Sequence, residues 1–298
     1  MFKRILLFGA MNIAIMVTVN IVSRVLGLQP YMNAYGVNYT DLMIYCALWG
    51  FAGSFLSLFM SKWLAKTAMG VQIVSPQGQY AALVNTVSRL SRAAGLPKMP
   101  EVGIYESPEV NAFATGPSKS NSLVAVSTGL LSSMTDDEIE GVLGHEIAHI
   151  ANGDMVTMTL LQGVINSFVL FFAKVISIAI DNAMRDENGR GGLGVIARIG
   201  IEIVLQIVFG IIGSMILAWF SRKREFRADQ GGAKFAGREK MVAALRRLKT
   251  QYEGHGYFEK GNENLNAFKI SSKEQGFRAL FSTHPSLDTR IKRLETGM

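Results

Sequence analysis

Four long apolar blocks, at residues 5–28, 42–60, 156–180 and 193–220, dictate what this chain can fold into. A helix rises about 1.5 Å per residue, so each block can cross a hydrocarbon core of about 30 Å. The first block is longer than the apolar region of a secretory signal and no Ala-x-Ala site follows it, so it reads as a retained anchor. With 49% apolar and 18% charged residues, the composition excludes a disordered chain. The single cysteine, Cys46, excludes an intramolecular disulfide framework and a cysteine-rich zinc site.

Lys and Arg outnumber Asp and Glu by 30 to 23, and the basic residues stand beside the apolar blocks. That pattern fits the anionic cytoplasmic face of a lipid bilayer better than nucleic acid. Lys3, Arg4, Lys62, Lys66, Arg222, Lys223 and Arg224 fall on one side of a four-span arrangement. On the other side, residues 29–41 carry no Lys or Arg, and Arg185 and Arg190 are offset by Asp181, Asp186 and Glu187. Both termini are therefore expected in the cytoplasm. Arg222, Lys223 and Arg224 read as membrane-surface anchors. Within the spans, Arg198 and Glu202 at i,i+4 can pair on one helix face, and Arg24 and Lys174 lie near span ends; a transport-pathway role is the alternative for all four. Asn12, Asn20, Gln162 and Asn166 can hydrogen-bond between helices or line a groove.

The organisation expected is a pair of N-terminal membrane helices (1–61), a first soluble part (62–155), a membrane hairpin (156–220) and a second soluble part (221–298). The fold class is mainly α with a small β-sheet. Residues 76–94 read as a helix with Ala82, Val84, Val87 and Leu90 on its apolar face. Pro97 and Pro100 end it. Three short strands follow at 101–105, 110–115 and 123–127, broken by Pro108 and by Gly116-Pro117. Gly129 turns the chain toward a helix.

Thr135 with Glu138 fits a capping box, opening a helix to about Ala151. That helix carries His145-Glu146-x-x-His149. Four positions bring both imidazoles to one face about 6 Å apart, where they can reach one zinc ion, while Glu146 is offset toward a water on the metal. Zinc acidifies such a water, Glu146 can take its proton, and a carbonyl can then be attacked. Glu225-x-x-x-Asp229 begins where the last span ends. Glu225 would complete a two-His, one-carboxylate site, and Asp229 could accept a hydrogen bond from a ligand imidazole. The bland reading of these residues is satisfied helix histidines and a solvated charge cluster.

In sequence order, these motifs resemble the HtpX-type membrane-bound zinc metalloproteases, relatives of the CAAX prenyl proteases among the gluzincin peptidases. The resemblance runs through Asn111-Ala112-Phe113-Ala114, His145-Glu146-x-x-His149, the two-span insertion, Glu225-x-x-x-Asp229 and Ser282-Thr283-His284-Pro285. It implies a cytoplasmic zincin-like domain in the bacterial inner membrane. It also implies one Zn2+ per chain, ATP-independent endopeptidase activity without nucleotide, and protein substrates that include misfolded membrane proteins, as in stress response and quality control. His145, His149 and Glu225 are implied as zinc ligands, Glu146 as general base, and His284 as a donor to the oxyanion. His284 reads alternatively as an exposed histidine before a helix at 286–294. Asn111, Ala112 and Phe113 would lie on an edge strand to which a peptide could add; an ordinary buried strand is the other reading. His255 reads as a loop residue.

Three other functions remain open at this point. An intramembrane protease would place its motif inside a span, whereas acids flank this one. A scaffold with structural zinc would need a fourth protein ligand. A transporter leaves the metal motif unexplained.

Overall fold

The computed structural model describes residues 38–186, 191–254 and 280–297. The first apolar block with Lys3, Arg4, Asn12, Asn20 and Arg24, the loop residues Glu187 and Arg190, and His255 lie outside these residues. The described part is mainly helical, with one four-stranded sheet. It divides into two compact units, one within Met1–Leu56 and Thr159–Ile216, the other within Ser57–Met158 and Leu217–Met298.

Among the described residues, three helices are long and apolar enough to cross a membrane: α1 (Tyr39–Ala68), α5 (Asp154–Ala183) and α6 (Gly194–Ala236). They contain the second, third and fourth apolar blocks. Asn38 starts α1 by accepting hydrogen bonds from the Thr40 and Asp41 N–H groups through its side-chain oxygen. In the first unit, Tyr39, Leu42, Met43 and Cys46 of α1 pack on Phe171 and Val175 of α5. Many apolar side chains of α6 stay exposed, Ile196 at 87% and Val204 at 59%, as suits a surface solvated by lipid rather than water.

Several polar groups in these helices find partners across a helix contact or along the helix. Asn166 Nδ2 donates to Ser54 Oγ across the α1–α5 contact at 3.3 Å, and Gln162 Nε2 donates to Asn166 Oδ1 at 2.8 Å. The expected Arg198–Glu202 pair is replaced. Glu202 meets Lys174 of the neighbouring helix at 3.2 Å, while Arg198 is exposed one turn from the start of α6, where its long stem can reach the interface.

The second unit is built on a sheet ordered β1-β2-β4-β3, comprising β1 (Gln72–Ile73), β2 (Glu101–Tyr105), β3 (Ala112–Ser118) and β4 (Asn121–Ser127). Strands β2 and β4 pair in parallel and the other pairs are antiparallel. The two-residue β1 carries too little pattern to be read from sequence. Gly116-Pro117 does not end β3. The strand continues to Ser118 through a register shift, and because β3 lies at the sheet edge the missing proline N–H can face away from the ladder.

Helix α2 (Ala81–Ala93) starts five residues later than expected, because 75–80 is taken up by a turn in which Ser75 Oγ accepts from the Gln77 N–H. Leu83 is buried in place of the exposed Ala82. After α3 (Thr128–Ser133), the expected capping box opens α4 (Asp136–Asn152): Thr135 Oγ1 accepts from the Glu138 N–H and the Glu138 carboxylate from the Thr135 N–H. Leu143, Ile147 and Ile150 of α4 bury against Leu90 of α2, Val124 and Val126 of β4, and Leu245 and Leu248 of α7 (Arg238–Gly254). The C-terminal α8 (Leu287–Thr296), capped by Ser286, adds Leu294 to this core.

Candidate metal centre

The centre is assembled from α4, the last turns of α6 and the segment leading into α8. Two glycines set the helix spacing. A Cβ on Gly231 would stand 2.5 Å from Ala148 Cβ, and one on Gly232 only 3.0 Å from the His145 backbone nitrogen. Larger residues there would push α6 off α4. Helix α6 spans 43 residues, about 65 Å at helical rise, so it outruns a bilayer core and presents Glu225 and Asp229 beyond its apolar stretch.

His145, Glu146, His149 and Glu225 are all buried. His145 Nε2 and His149 Nε2 are 3.1 Å apart, Glu225 Oε2 is 3.3 Å from the first and Glu225 Oε1 3.2 Å from the second. Each imidazole has its other nitrogen on a carboxylate: His145 Nδ1 lies 3.0 Å from Asp229 Oδ1, and His149 Nδ1 2.6 Å from Asp154 Oδ2. Those contacts put a proton on each Nδ1 and turn both Nε2 lone pairs toward each other and toward Glu225. Two nitrogens facing at 3.1 Å beside a carboxylate call for positive charge between them, supplied by protons or by a metal ion.

The donor set fits a zinc ion. Tetrahedral ligands at normal zinc distances stand about 3.3 Å apart, close to the three separations observed. Both Glu225 oxygens are buried, and no donor among the described residues is aligned to hydrogen-bond to them. Such a carboxylate is costly to bury unless a charge meets it. His145, His149 and Glu225 form the one group among the described residues able to hold a metal through three such side chains.

With no ion between them, the surrounding carboxylates favour protons on the two histidines, which a bound metal would displace. Burial opposes a charge on His145, but its hydrogen bond to Asp229 and the Glu225 carboxylate outweigh this and push its pKa up to about 9. Burial would raise the Asp229 pKa, yet the Arg290 guanidinium brings it down to about 2. Glu225 is held well below the carboxylate range despite its burial, chiefly by His284 and His149.

Of the sequence-predicted residues, His145, His149, Glu225, Asp229 and His284 come together here. Asp229 meets His145 as anticipated. His284 Nδ1 lies 2.8 Å from Glu225 Oε2, so this side chain faces the centre rather than solvent. Asn111, Ala112 and Phe113 are buried, the last two at the start of the edge strand β3. Arg222 is more than a surface anchor: its Nη1 donates to the Ser282 carbonyl at 2.7 Å, tying down the segment that carries His284.

Two contributors escaped the sequence reading. Asp154 follows Gly153, whose φ of 73° ends α4 and turns the chain back toward His149. Arg290 is fully buried, with Nε and Nη2 donating to the two Asp229 oxygens at 2.8 and 2.6 Å. Its signal is a charged residue in phase with Leu287, Ile291 and Leu294 on one face of α8.

A helical fold with three membrane-length helices and a buried two-His, one-Glu centre defines a membrane-associated metallopeptidase. Residues 78–297 match the model of peptidase family M48, and the chain belongs to that family. It is 50% identical to a "Protease HtpX homolog" of Methylacidiphilum infernorum over 298 residues, covering 99% of both chains. It is 51% identical to a "Protease HtpX homolog" of Bacillus licheniformis, covering 98% of this chain and 99% of the relative. A "Protease HtpX" of Hahella chejuensis is 50% identical over 98% of each chain. In fold, it is similar to the crystal structure of S. mikatae Ste24p, with a TM-score of 0.61 and 16% identity, over 96% of this chain and 66% of that one.

Proposed function

We propose that this protein is an integral-membrane zinc endopeptidase that hydrolyses membrane or misfolded proteins at the cytoplasmic face of a bacterial inner membrane, in protein quality control. The observation that carries the reading is the convergence of His145 Nε2, His149 Nε2 and the buried Glu225 carboxylate at tetrahedral spacing. The basic flanks of the spans support cytoplasmic termini, with residues 62–155 and 221–298 forming one protease domain around the hairpin at 156–220.

His145, His149 and Glu225 would hold the zinc, which when bound supplies a Lewis acid that polarises a carbonyl and acidifies water. Glu146, next to His145 on α4, takes a proton from the attacking water and delivers it to the leaving amine. His284 faces the same space and donates to the developing oxyanion. The edge strand beginning at Ala112-Phe113, with Asn111 before it, accepts an extended peptide through main-chain hydrogen bonds. Burial of the centre lowers the local dielectric and strengthens each of these contacts.

The test compares detergent-purified wild type and Glu146→Gln on an unfolded, casein-like protein, with zinc measured in both. Cleavage only by wild type, with one zinc in each protein, is expected. Full activity in Glu146→Gln would overturn the general-base role, and zinc without cleavage in both would favour a structural metal.

A further inference from the structure

Asp229 serves two partners at once. Its Oδ1 lies 3.0 Å from His145 Nδ1 and 2.6 Å from Arg290 Nη2, while Oδ2 accepts from Arg290 Nε at 2.8 Å. Arg290 has no exposed surface, and its Nη1 also comes within 3.6 Å of Glu225 Oε2. A guanidinium is always charged and has no acceptor, so its fork can lie against Asp229 only as a donor pair. It also stands 3.4 Å from His145 Nδ1, where two donors cannot bond each other and must share the carboxylate between them.

We infer that Arg290 is a positioning residue for the metal centre: it locks Asp229 as an acceptor, and Asp229 in turn fixes the tautomer and ring plane of His145. The inference rests on the zinc reading above and extends it to the C-terminal helix. Charge balance makes the same demand. Glu146, Asp154, Glu225 and Asp229 crowd four carboxylates into buried surroundings that a single divalent ion does not neutralise. Arg290 reaches Asp229 and Glu225 together, so it offsets repulsion on the ligand side without occupying a coordination position. Lysine could supply the charge, but not two parallel donors in one plane.

The test uses full-length protein in detergent, with wild type, Arg290→Lys, Asp229→Asn and the double variant. Zinc affinity is read by competition with a chelator, ligand geometry by the visible absorption of Co2+ in place of zinc, and fold by the Tm of the metal-free proteins. Arg290→Lys and Asp229→Asn are each expected to weaken zinc binding by about tenfold or more and to alter the Co2+ spectrum. The double variant should lose less than the sum of the two single losses, because Arg290 acts on His145 through Asp229. Wild-type zinc affinity and Co2+ spectrum in Arg290→Lys would overturn the inference, as would a loss confined to metal-free Tm. Additive losses in the double variant would also overturn it, since the two residues would then act separately. Failure of wild type itself to bind zinc, or binding that survives His149→Ala, would instead strike the zinc reading.

Discussion

His149 Nδ1 and Asp154 Oδ2 approach to 2.6 Å across the left-handed turn at Gly153, so the residue that opens α5 orients an imidazole on α4. Replacing Asp154 by Asn puts an amide where the carboxylate accepts. Zinc affinity, measured by chelator competition, is expected to fall between about tenfold and a hundredfold. Gly153→Ala should act in the same direction by straining a φ of 73°. Unchanged affinity in both variants would show that the contact does not tune the centre.

Asn111 is held on both sides of its backbone: its N–H donates to Ser127 Oγ at 3.1 Å and its carbonyl accepts from the Ser127 N–H at 2.9 Å. Its side-chain oxygen is buried and has no hydrogen-bond partner among the described residues. An incoming peptide N–H would satisfy it. Asn111→Ala is expected to lower kcat/KM by about tenfold, roughly one hydrogen bond, mainly through KM and with zinc content unchanged. Peptide kinetics equal to wild type would remove the substrate-strand role.

Glu140 lies 2.6 Å from Arg89 Nη2 and 3.1 Å from Lys240 Nζ. Burial opposes its charge, but the hydrogen bonds from Arg89 and Lys240 bring its pKa below the ordinary value. A pKa depressed on folding contributes stability above the unfolded value of about 4.3 and loses it as pH falls through the folded value. Glu140→Gln should therefore lower Tm at pH 7 by on the order of 2 °C, since solvent screens the exposed Arg89 end. The gap should close as the pH drops below about 4. A gap that persisted in acid would assign the effect to packing instead.

Thr135 and Glu138 cap α4 ten and seven residues before His145. Thr135→Ala removes one of the two reciprocal bonds and should cost about 1 kcal/mol of stability. Zinc content and kcat below the unfolding transition should stay at wild-type levels, because the core around Leu143 and Ile147 still positions the motif turn. Denaturation in parallel with metal analysis separates the two effects.

Much of the centre is legible in local sequence because a helix makes it so. His145 and His149 share a face by the 3.6-residue period, as do Glu225 and Asp229, and the bonds of Thr135 reach only three residues. The helix expected at 76–94 starts only at Ala81 because the turn chemistry of Ser75 and Gln77 competes locally with the helix. Glu202 found Lys174, not Arg198, because a neighbouring helix supplied a partner that no single-helix pattern contains.

By itself, the sequence determined the membrane-length helices, the capped motif helix and the identity of three candidate ligands, all consequences of periodicity and side-chain chemistry over a few turns. Only the tertiary structure decided which side chains beyond Asp229 hold those ligands in place. Arg290 is 145 positions from His145 and reaches it through Asp229, while Arg222 ties down the His284 segment sixty residues away. Such partners are chosen by burial: once the helices pack, each enclosed charge must meet an opposite charge or a hydrogen-bond partner, and packing alone brings those groups within reach.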